Sequence, residues 1–184
     1  FTTTRYGAGP YGDSQLYSLG SGSDVLDFAG DFPACVVFVG AQTAGVQGLI
    51  NNANFGASGS GWGLLVEGSG SYGARFVTYT SGSAQNYVRT NNLPASGPNI
   101  ICGGRSGSSG YVKLNAGTTV SGTIPITQNT TTPAQIGAWV LSGAPFTGTI
   151  YEVWATSTPW NEANVTAIQQ KVLGHLYGST ALSV

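Results

Sequence analysis

The 184-residue sequence predicts an all-β protein, a sandwich of two antiparallel sheets with one short C-terminal helix. Short runs rich in Val, Ile, Phe and Tyr alternate with stretches of Ser, Thr and Asn, and the chain contains 29 Gly and 8 Pro. Short apolar runs separated by turn-forming residues are typical of a β-sandwich. A hydrophobic fraction of 41% argues against disorder. The length fits one domain, so we expect residues 1–184 to form a single folding unit.

Apolar runs mark the expected strands in order along the chain. They are Val25–Phe28 with Asp31 and Phe32, Ala34–Val39, Trp62–Val66, Arg75–Tyr79, Ile100–Gly104, Tyr111–Asn115, Gln135–Gly137 and the run around Ile150–Ala155. Gly- and Ser-rich stretches such as 57–61 and 106–110 lie between them and are expected to be turns and loops.

One helix is expected over about Glu162 to Leu176. Asn161 is a good N-cap, and Gly178 supplies a C-terminal stop. Within the segment, apolar residues recur at spacings of three, four and four and form one stripe: Val165, Ile168, Val172 and Leu176. The helix is therefore expected to lie on the rest of the domain, with Trp160 as a core residue just before the cap.

The order of these segments resembles that of laminin-G-like, concanavalin-A-type jelly rolls of the bacterial kind. Phe146–Val153 matches the closing strand F-x-G-x-I-x-E-V that leads to a short helix in that family. The resemblance runs from about residue 15 to residue 178, although Pro98-Asn99 stands where many relatives carry Trp. It implies a two-sheet jelly roll. We also expect the domain to be a module of a larger exported protein, with the other domains of the parent chain among its partners.

The low content of charged residues limits the classes of partner that the chain can bind. Only 7% of residues are charged, against roughly 25% in ordinary domains, and the net charge is −1. Six Lys and Arg residues give no basic footprint for nucleic acid or for an anionic membrane. No apolar run reaches the roughly 18–20 residues of a membrane helix. We therefore expect no nucleic-acid partner, no membrane insertion, and an extracellular or cell-surface location.

Catalysis is not expected. Retaining glycoside hydrolysis needs two carboxyl groups about 5–5.5 Å apart, usually from residues that alternate on one strand face. Glu152 is followed at such positions by Trp154 and Thr156, and Glu67 stands alone on its strand. His175, the single histidine, is expected to be a solvated cation near the end of the helix, and no nucleophile motif surrounds it.

The two cysteines leave two alternatives open. Cys35 and Cys102 lie in apolar runs assigned to strands, and they form either one cross-strand disulfide or two buried thiols. Spacing alone does not distinguish these alternatives, because pairing depends on which strands are neighbours.

Four early aspartates are candidate calcium ligands. The resemblance implies a Ca²⁺ ion at a sheet edge, bound by carboxylates and carbonyl oxygens. Asp13, Asp24, Asp27 and Asp31 are the candidates, and the alternative is that they form Asx-turns. No other cofactor is expected.

Aromatic residues on an exposed sheet face are the predicted working surface. Sugar rings place their apolar C–H faces on Trp or Tyr, while Arg and amide groups bind hydroxyls. We expect Trp154, Tyr87 and Arg89 to make the main contacts to a neutral or weakly charged glycan, because strand alternation puts Trp154 on a face away from Val153 and puts Tyr87 and Arg89 on one face. Trp62 and Trp139 adjoin Gly-rich turns and are predicted rim contacts. The sequence thus predicts a non-catalytic carbohydrate-binding or adhesion module for polysaccharide. The alternative is a structural spacer or assembly domain of a surface adhesin or phage-type fibre, without a small ligand.

Overall fold

The computed structural model describes residues 17–18, 28, 30–40, 45–54, 60–67, 73–80, 84–91, 97–125, 134–139 and 144–177. Within these ranges the chain forms thirteen β-strands and one α-helix: β1 Tyr17–Ser18, β2 Phe32–Gly40, β3 Val46–Asn54, β4 Ser60–Glu67, β5 Ala74–Thr80, β6 Ala84–Arg89, β7 Asn99–Ser106, β8 Ser109–Leu114, β9 Val120–Thr123, β10 Gln135–Ile136, β11 Ala138–Trp139, β12 Ala144–Pro145, β13 Gly148–Ala155 and α1 Glu162–Tyr177.

The strands form two main antiparallel sheets. One has six strands in the order β1-β10-β3-β4-β5-β6, and the other has five in the order β13-β2-β7-β8-β9. Strands β11 and β12 pair separately with each other. The prediction of an all-β, two-sheet sandwich with one short helix is confirmed.

The core lies between the two sheets and is built from alternate residues of their strands. Its buried side chains include Phe32, Val36, Phe38, Leu64, Phe76, Val88, Ile101, Val112 and Val153. Gly103 on β7 permits close contact of the sheets, because a Cβ atom there would lie 2.4 Å from Leu64 Cδ2 and 3.0 Å from Phe76 Cβ. The sandwich therefore needs a residue without a side chain at this position.

Most predicted strands are found where the apolar runs lie. Ala34–Val39, Trp62–Val66, Arg75–Tyr79 and Ile100–Gly104 fall within β2, β4, β5 and β7 respectively. Asn115 ends β8 in a turn with φ of 51°, a conformation that Asn tolerates. Val25–Asp27 lies outside the described residues.

The helix begins at the predicted cap and ends within one residue of the predicted end. Asn161 Oδ1 accepts a hydrogen bond of 3.0 Å from the backbone N–H of Asn164, the arrangement of an N-cap. Val165 is buried, and Ile168 and Val172 pack beside it against the five-stranded sheet. Gly178 lies outside the described residues. In the part of the chain that is described, no helix is both long and apolar enough to cross a membrane.

Candidate functional site

The outer face of the six-stranded sheet, meaning the side away from the core, carries the candidate site. Phe76 of β5 and Val88 of β6 belong to the core, so residues one position away project to the other side. The register places Arg75 directly opposite Arg89 and Val77 opposite Tyr87. The predicted common face of Tyr87 and Arg89 therefore lies on the outer face, next to a second arginine.

Four residues form one contiguous group, which we call the Tyr87 patch: Glu67, Arg75, Tyr87 and Arg89. The guanidinium carbon of Arg75 lies 3.9 Å from the Tyr87 ring centroid, and that of Arg89 lies 5.6 Å from it. Arg75 Nη1 donates to Glu67 Oε1 at 2.6 Å. Tyr87 is 44% exposed. The patch thus presents an aromatic ring to solvent and holds it from below with a fixed guanidinium.

Burial differs across the patch. The side chains of Arg75 and Glu67 keep only 11% and 8% of their accessible surface, whereas Arg89 is partly exposed. An ion pair with both members largely withdrawn from water is held more rigidly than a surface pair, because solvent screens it less. Glu67 therefore positions Arg75, and Arg75 positions the Tyr87 ring.

The centre of the outer face is covered. Ala53, Leu65, Val77 and Tyr79 form a buried apolar cluster there, each at most 1% exposed. Burial raises the pKa of the Tyr79 hydroxyl far above its ordinary value, and the nearby Arg75 charge opposes this rise. The centre of this face is therefore not exposed. The Tyr87 patch lies at the margin of this face and combines residues of β4, β5 and β6.

Trp154 does not lie on an exposed face. Alternation does place it away from Val153, but α1 covers that side of the five-stranded sheet, and Trp154 is 9% exposed in a cluster with Val37, Ile100 and Val165. Trp160 belongs to the same cluster and stacks on Tyr111 with ring centroids 5.3 Å apart. The prediction for Trp160 as a core residue is confirmed, and the exposed placement of Trp154 is wrong.

Trp62 is also a core residue and not a rim contact. It is 1% exposed, and its ring lies 4.7 Å from that of Phe32. Every second residue of β4 faces the core: Trp62, Leu64 and Val66. The spacing of two in the sequence was therefore enough to predict a core position for Trp62. For Trp139 the backbone of β11 is described, where it pairs with Ala144, and its role as a rim contact stays a prediction.

A second polar group lies at the start of α1. Lys113 Nζ donates to Glu162 Oε1 at 2.5 Å and to Thr166 Oγ1 at 2.9 Å. Glu162 Oε2 accepts bonds from Thr119 Oγ1 and Trp160 Nε1 at 2.6 and 3.3 Å. Partial burial raises the pKa of Glu162, but the bonds from Lys113, Thr119 and Trp160 outweigh it, so the net pKa is lowered. These contacts attach the helix to β8.

The cysteines form a disulfide. Cys35 of β2 and Cys102 of β7 are directly opposed in the register, with Cα atoms 4.1 Å apart, and their sulfurs are bonded. Both side chains are fully buried beneath α1. Of the two alternatives that the sequence left open, the structure selects the bridge.

The calcium prediction has one candidate ligand among the described residues. Asp31 Oδ1 accepts a bond of 2.8 Å from the backbone N–H of Gly107. Burial lowers the pKa of the neighbouring Arg105, and the charge of Asp31 opposes this shift. A carboxylate beside a guanidinium is a poor site for a second cation. Within the described ranges, no group of three or more His, Cys, Asp or Glu residues could hold a metal.

The other three candidates, Asp13, Asp24 and Asp27, lie outside the described residues. A calcium site that involves them stays a prediction of the sequence.

Sequence reasoning missed Arg75 and Glu67 as members of the candidate site. The pattern Arg75-Phe76-Val77 shows that Arg75 faces away from the core. Its position beside Tyr87 depends on the pairing of β5 with β6 in one register, and nothing in the sequence of either strand fixes that register alone.

Comparison with known proteins identifies the fold. No family model and no curated protein matches the chain. The CBM40 domain of Ruminococcus gnavus IT-sialidase, solved bound to α2,3-sialyllactose, is similar with a TM-score of 0.72 and 12% identity, covering 90% of this chain and 97% of that chain. Domain 4 of AbnA, an extracellular arabinanase from Geobacillus stearothermophilus in complex with arabinotriose, gives 0.67 and 14%, covering 92% and 82%.

Mouse laminin α1 domains LG4-5 give a TM-score of 0.56 at 12% identity, covering 84% of this chain and 41% of that chain. Identities this low speak for the fold alone. The sheet order and these likenesses show that the chain has a laminin-G-like, concanavalin-A-type jelly-roll fold.

Proposed function

We propose that this chain is a non-catalytic carbohydrate-binding module that holds its ligand at the Tyr87 patch. The observation that carries the proposal is the half-exposed Tyr87 ring, fixed by Arg75 at 3.9 Å. A sugar ring would place its C–H face on the aromatic ring, and the guanidinium groups would donate to hydroxyl oxygens. A ring that is already held in place loses little conformational entropy when a ligand binds.

Two structural neighbours support this class of ligand. The CBM40 domain and the arabinanase domain were both solved with oligosaccharides, α2,3-sialyllactose and arabinotriose. A sandwich of this fold can therefore bind sugars. Two of the described acids fit a non-catalytic role as well, because Glu67 pairs with Arg75 and Glu162 pairs with Lys113.

The test uses the two exposed tyrosines as a matched pair. Tyr87 and Tyr151 are 44% and 43% exposed, and they lie on different sheets. After a glycan array identifies a bound oligosaccharide, Tyr87→Ala should weaken its binding by about 1–3 kcal/mol, the scale of one apolar side chain. Tyr151→Ala should leave the affinity unchanged, as measured by calorimetry. Both variants should melt near the parent temperature, since each ring is already half in water.

A spacer or assembly role is the second candidate, and one observation favours it. The outer face of the six-stranded sheet is covered at its centre, and α1 covers the outer side of the other sheet. Little open surface is left for a long polysaccharide among the described residues. A domain that melts cooperatively yet retains no glycan of a broad array would support this second role and contradict the first.

We also infer that the domain works outside the cytoplasm, in an extracellular or cell-surface setting. The inference is supported by the buried Cys35–Cys102 bridge, because disulfides persist in oxidising compartments. Thiol labelling of the denatured protein, isolated from its native host without reductant, should find no free cysteine. Two labelled thiols would contradict the inference.

A further inference from the structure

We propose that the outer face of β8 and β9 is a second ligand site, which takes one neutral sugar ring on the open face of Tyr111. We call this site the Tyr111 face, and it consists of Tyr111, Ser121, Thr123 and Trp160. The inference goes beyond the proposed function, because the Tyr87 patch lies on the other sheet and neither site needs the other.

Alternation along both strands directs the side chains of this face away from the core. Val112 of β8 belongs to the core, and Val120 of β9 packs against it. Tyr111 and Ser121 therefore point outward. The register pairs these two residues directly. Ser121 is exposed and small, so this strand neighbour does not fill the space beside the Tyr111 ring.

Trp160 covers one face of the Tyr111 ring. The two rings are stacked, with an interplanar angle of 7° and centroids 5.3 Å apart. The backbone N–H of Trp160 donates to the carbonyl oxygen of Arg105 on β7 at 3.2 Å, so Trp160 approaches Tyr111 from the β7 side. The opposite face of the Tyr111 ring is therefore directed toward β9. Tyr111 is partly exposed, and this second face is where water reaches the ring.

The helix does not extend over this part of the sheet. The cluster beneath α1 is contributed by β13, β2 and β7, among them Trp154, Val37 and Ile100. On the β9 side of Tyr111, the side chains of Ser121 and Thr123 are exposed. The surface therefore has room for one further ring on the stack of aromatic side chains.

The charges beside the stack favour a neutral ligand. Lys113, which precedes no other cation on β8, is 7% exposed and pairs with Glu162. The two charges cancel, so this pair offers no excess charge of either sign to a ligand. Binding an ion here would remove part of its hydration without supplying a counter-charge, which is unfavourable.

The remaining groups suit a sugar. The ring of a sugar has an apolar C–H face that can lie on the open face of Tyr111. The hydroxyls of Ser121 and Thr123 can each donate and accept a hydrogen bond, as the hydroxyls of a sugar do. Aromatic stacking would thus supply the main favourable contribution, and the hydroxyls of β9 would orient the ring.

The experiment observes each surface separately. The isotope-labelled whole chain is titrated with xylotriose, cellotriose, maltotriose and mannotriose at up to about 10 mM, so that millimolar affinity is detected in amide NMR spectra. We expect at least one sugar to shift the amide signals of Tyr111 and Ser121 and the indole N–H signal of Trp160. N-acetyltyrosinamide, which has a ring without sugar hydroxyls, should bind about fivefold more weakly, the effect of one hydrogen bond.

The variants assign these shifts to the open stacking position. Ser121→Tyr places a ring of the chain itself there and should lower the sugar affinity by at least about tenfold, because a filled position excludes the ligand. Ala167→Tyr adds the same ring at an exposed position of α1 and should leave the affinity unchanged.

A second pair of variants tests the aromatic face itself. Tyr111→Leu removes this face and should lower the affinity about fivefold, whereas Tyr111→Phe keeps it and should retain about half of the affinity or more. Should Tyr111→Leu fail to fold, as seen by circular dichroism, Ser121→Tyr with its control decides the test.

Several outcomes would overturn the inference. If sugars shift only the signals of the Tyr87 patch, the Tyr111 face is not a ligand site while the proposed function stands. If Ser121→Tyr leaves the affinity unchanged, or if N-acetyltyrosinamide binds as tightly as the best sugar, the Tyr111 face is not a sugar site. If no probe shifts the signals of Tyr111, Ser121 and Trp160, the inference falls, whereas the Tyr87 patch is judged by its own glycan array.

Discussion

At the scale of single residues, the buried side chain of Gln169 makes the packing of α1 less favourable. It lies on α1 and is 2% exposed, and neither its amide nitrogen nor its amide oxygen has a hydrogen-bond partner among the described residues. A buried amide without partners is unfavourable by about 1–3 kcal/mol. Its neighbours along the apolar stripe, Val165 and Val172, pack against the sheet.

We therefore predict that Gln169→Leu stabilises the protein. Leu is similar in volume and loses no hydrogen bond in the folded state, so the free energy of unfolding should rise by about 1–2 kcal/mol. Chemical denaturation measures this change. Gln170→Leu on the exposed side of the same helix turn is the control and should give no such gain. A loss of stability in Gln169→Leu would show that its amide makes a bond that holds the helix.

The alternation of residues along a strand predicted which face a side chain lies on, but it did not predict whether that side chain is exposed to solvent. Trp154 does face away from the core and Tyr87 does share a face with Arg89, as the period of two requires. Exposure also depends on what covers a face. Trp154 is covered by α1 because the helix returns over the five-stranded sheet. The residues of the strand itself do not predict where the helix packs.

Among the elements, α1 is the one that the sequence specified most completely. Its cap at Asn161 and its apolar stripe are local signals, and the structure shows the cap and the packing of Val165, Ile168 and Val172. The contact that fixes its docking is not local, because Lys113 lies 49 residues before Glu162. The sequence around Lys113 on β8 did not predict this ion pair.

The helix attachment should depend on pH. The pKa of Glu162 is lowered in the folded state, so the ionised carboxylate contributes stability above its ordinary pKa, and that contribution is lost as the pH falls below about 4.3. Glu162→Gln should lower the free energy of unfolding by about 1–2 kcal/mol near pH 7, since the group is half exposed. Melting curves from about pH 3 to 7 should show the difference shrinking in acid. A difference constant with pH would contradict this assignment.

The pairing of the strands was less predictable than their existence. The β3–β4 register shifts between Gly48 and Ile50, so that Leu49 and Ile50 both reach the core. A strict period of two does not survive a bulge. For the same reason the composition of the Tyr87 patch, which combines residues of three strands, emerges from tertiary pairing and not from any one run.

For the molecule as a whole, the disulfide is a major covalent constraint on the unfolded chain. Cys35 and Cys102 are 67 residues apart, and closing a loop of this length stabilises a domain by about 2–4 kcal/mol. The fold class followed from composition and segment order, but the bridge did not, because it requires β2 and β7 to be neighbours. Only the assembled sheet makes them so.

We predict that the paired substitution Cys35→Ala with Cys102→Ala lowers the free energy of unfolding by about 2–4 kcal/mol while the strand content stays the same. Urea unfolding followed by circular dichroism measures both. Because the bridge is fully buried, a reductant should reduce the native parent protein only as fast as local unfolding exposes the sulfur atoms. Rapid reduction of the native protein would show that α1 does not shield the bridge.

The same bridge decides how the domain responds to tension. Strands β3 to β6, which carry the Tyr87 patch, lie inside the covalent loop between Cys35 and Cys102. Force applied outside that loop passes through the sulfur atoms and not along those strands. A pulled molecule would lengthen by about 230 Å less than its reduced form, at roughly 3.4 Å for each of the enclosed residues. When the two ends of the chain are pulled apart, the Tyr87 patch would therefore bear none of the load until the disulfide is reduced.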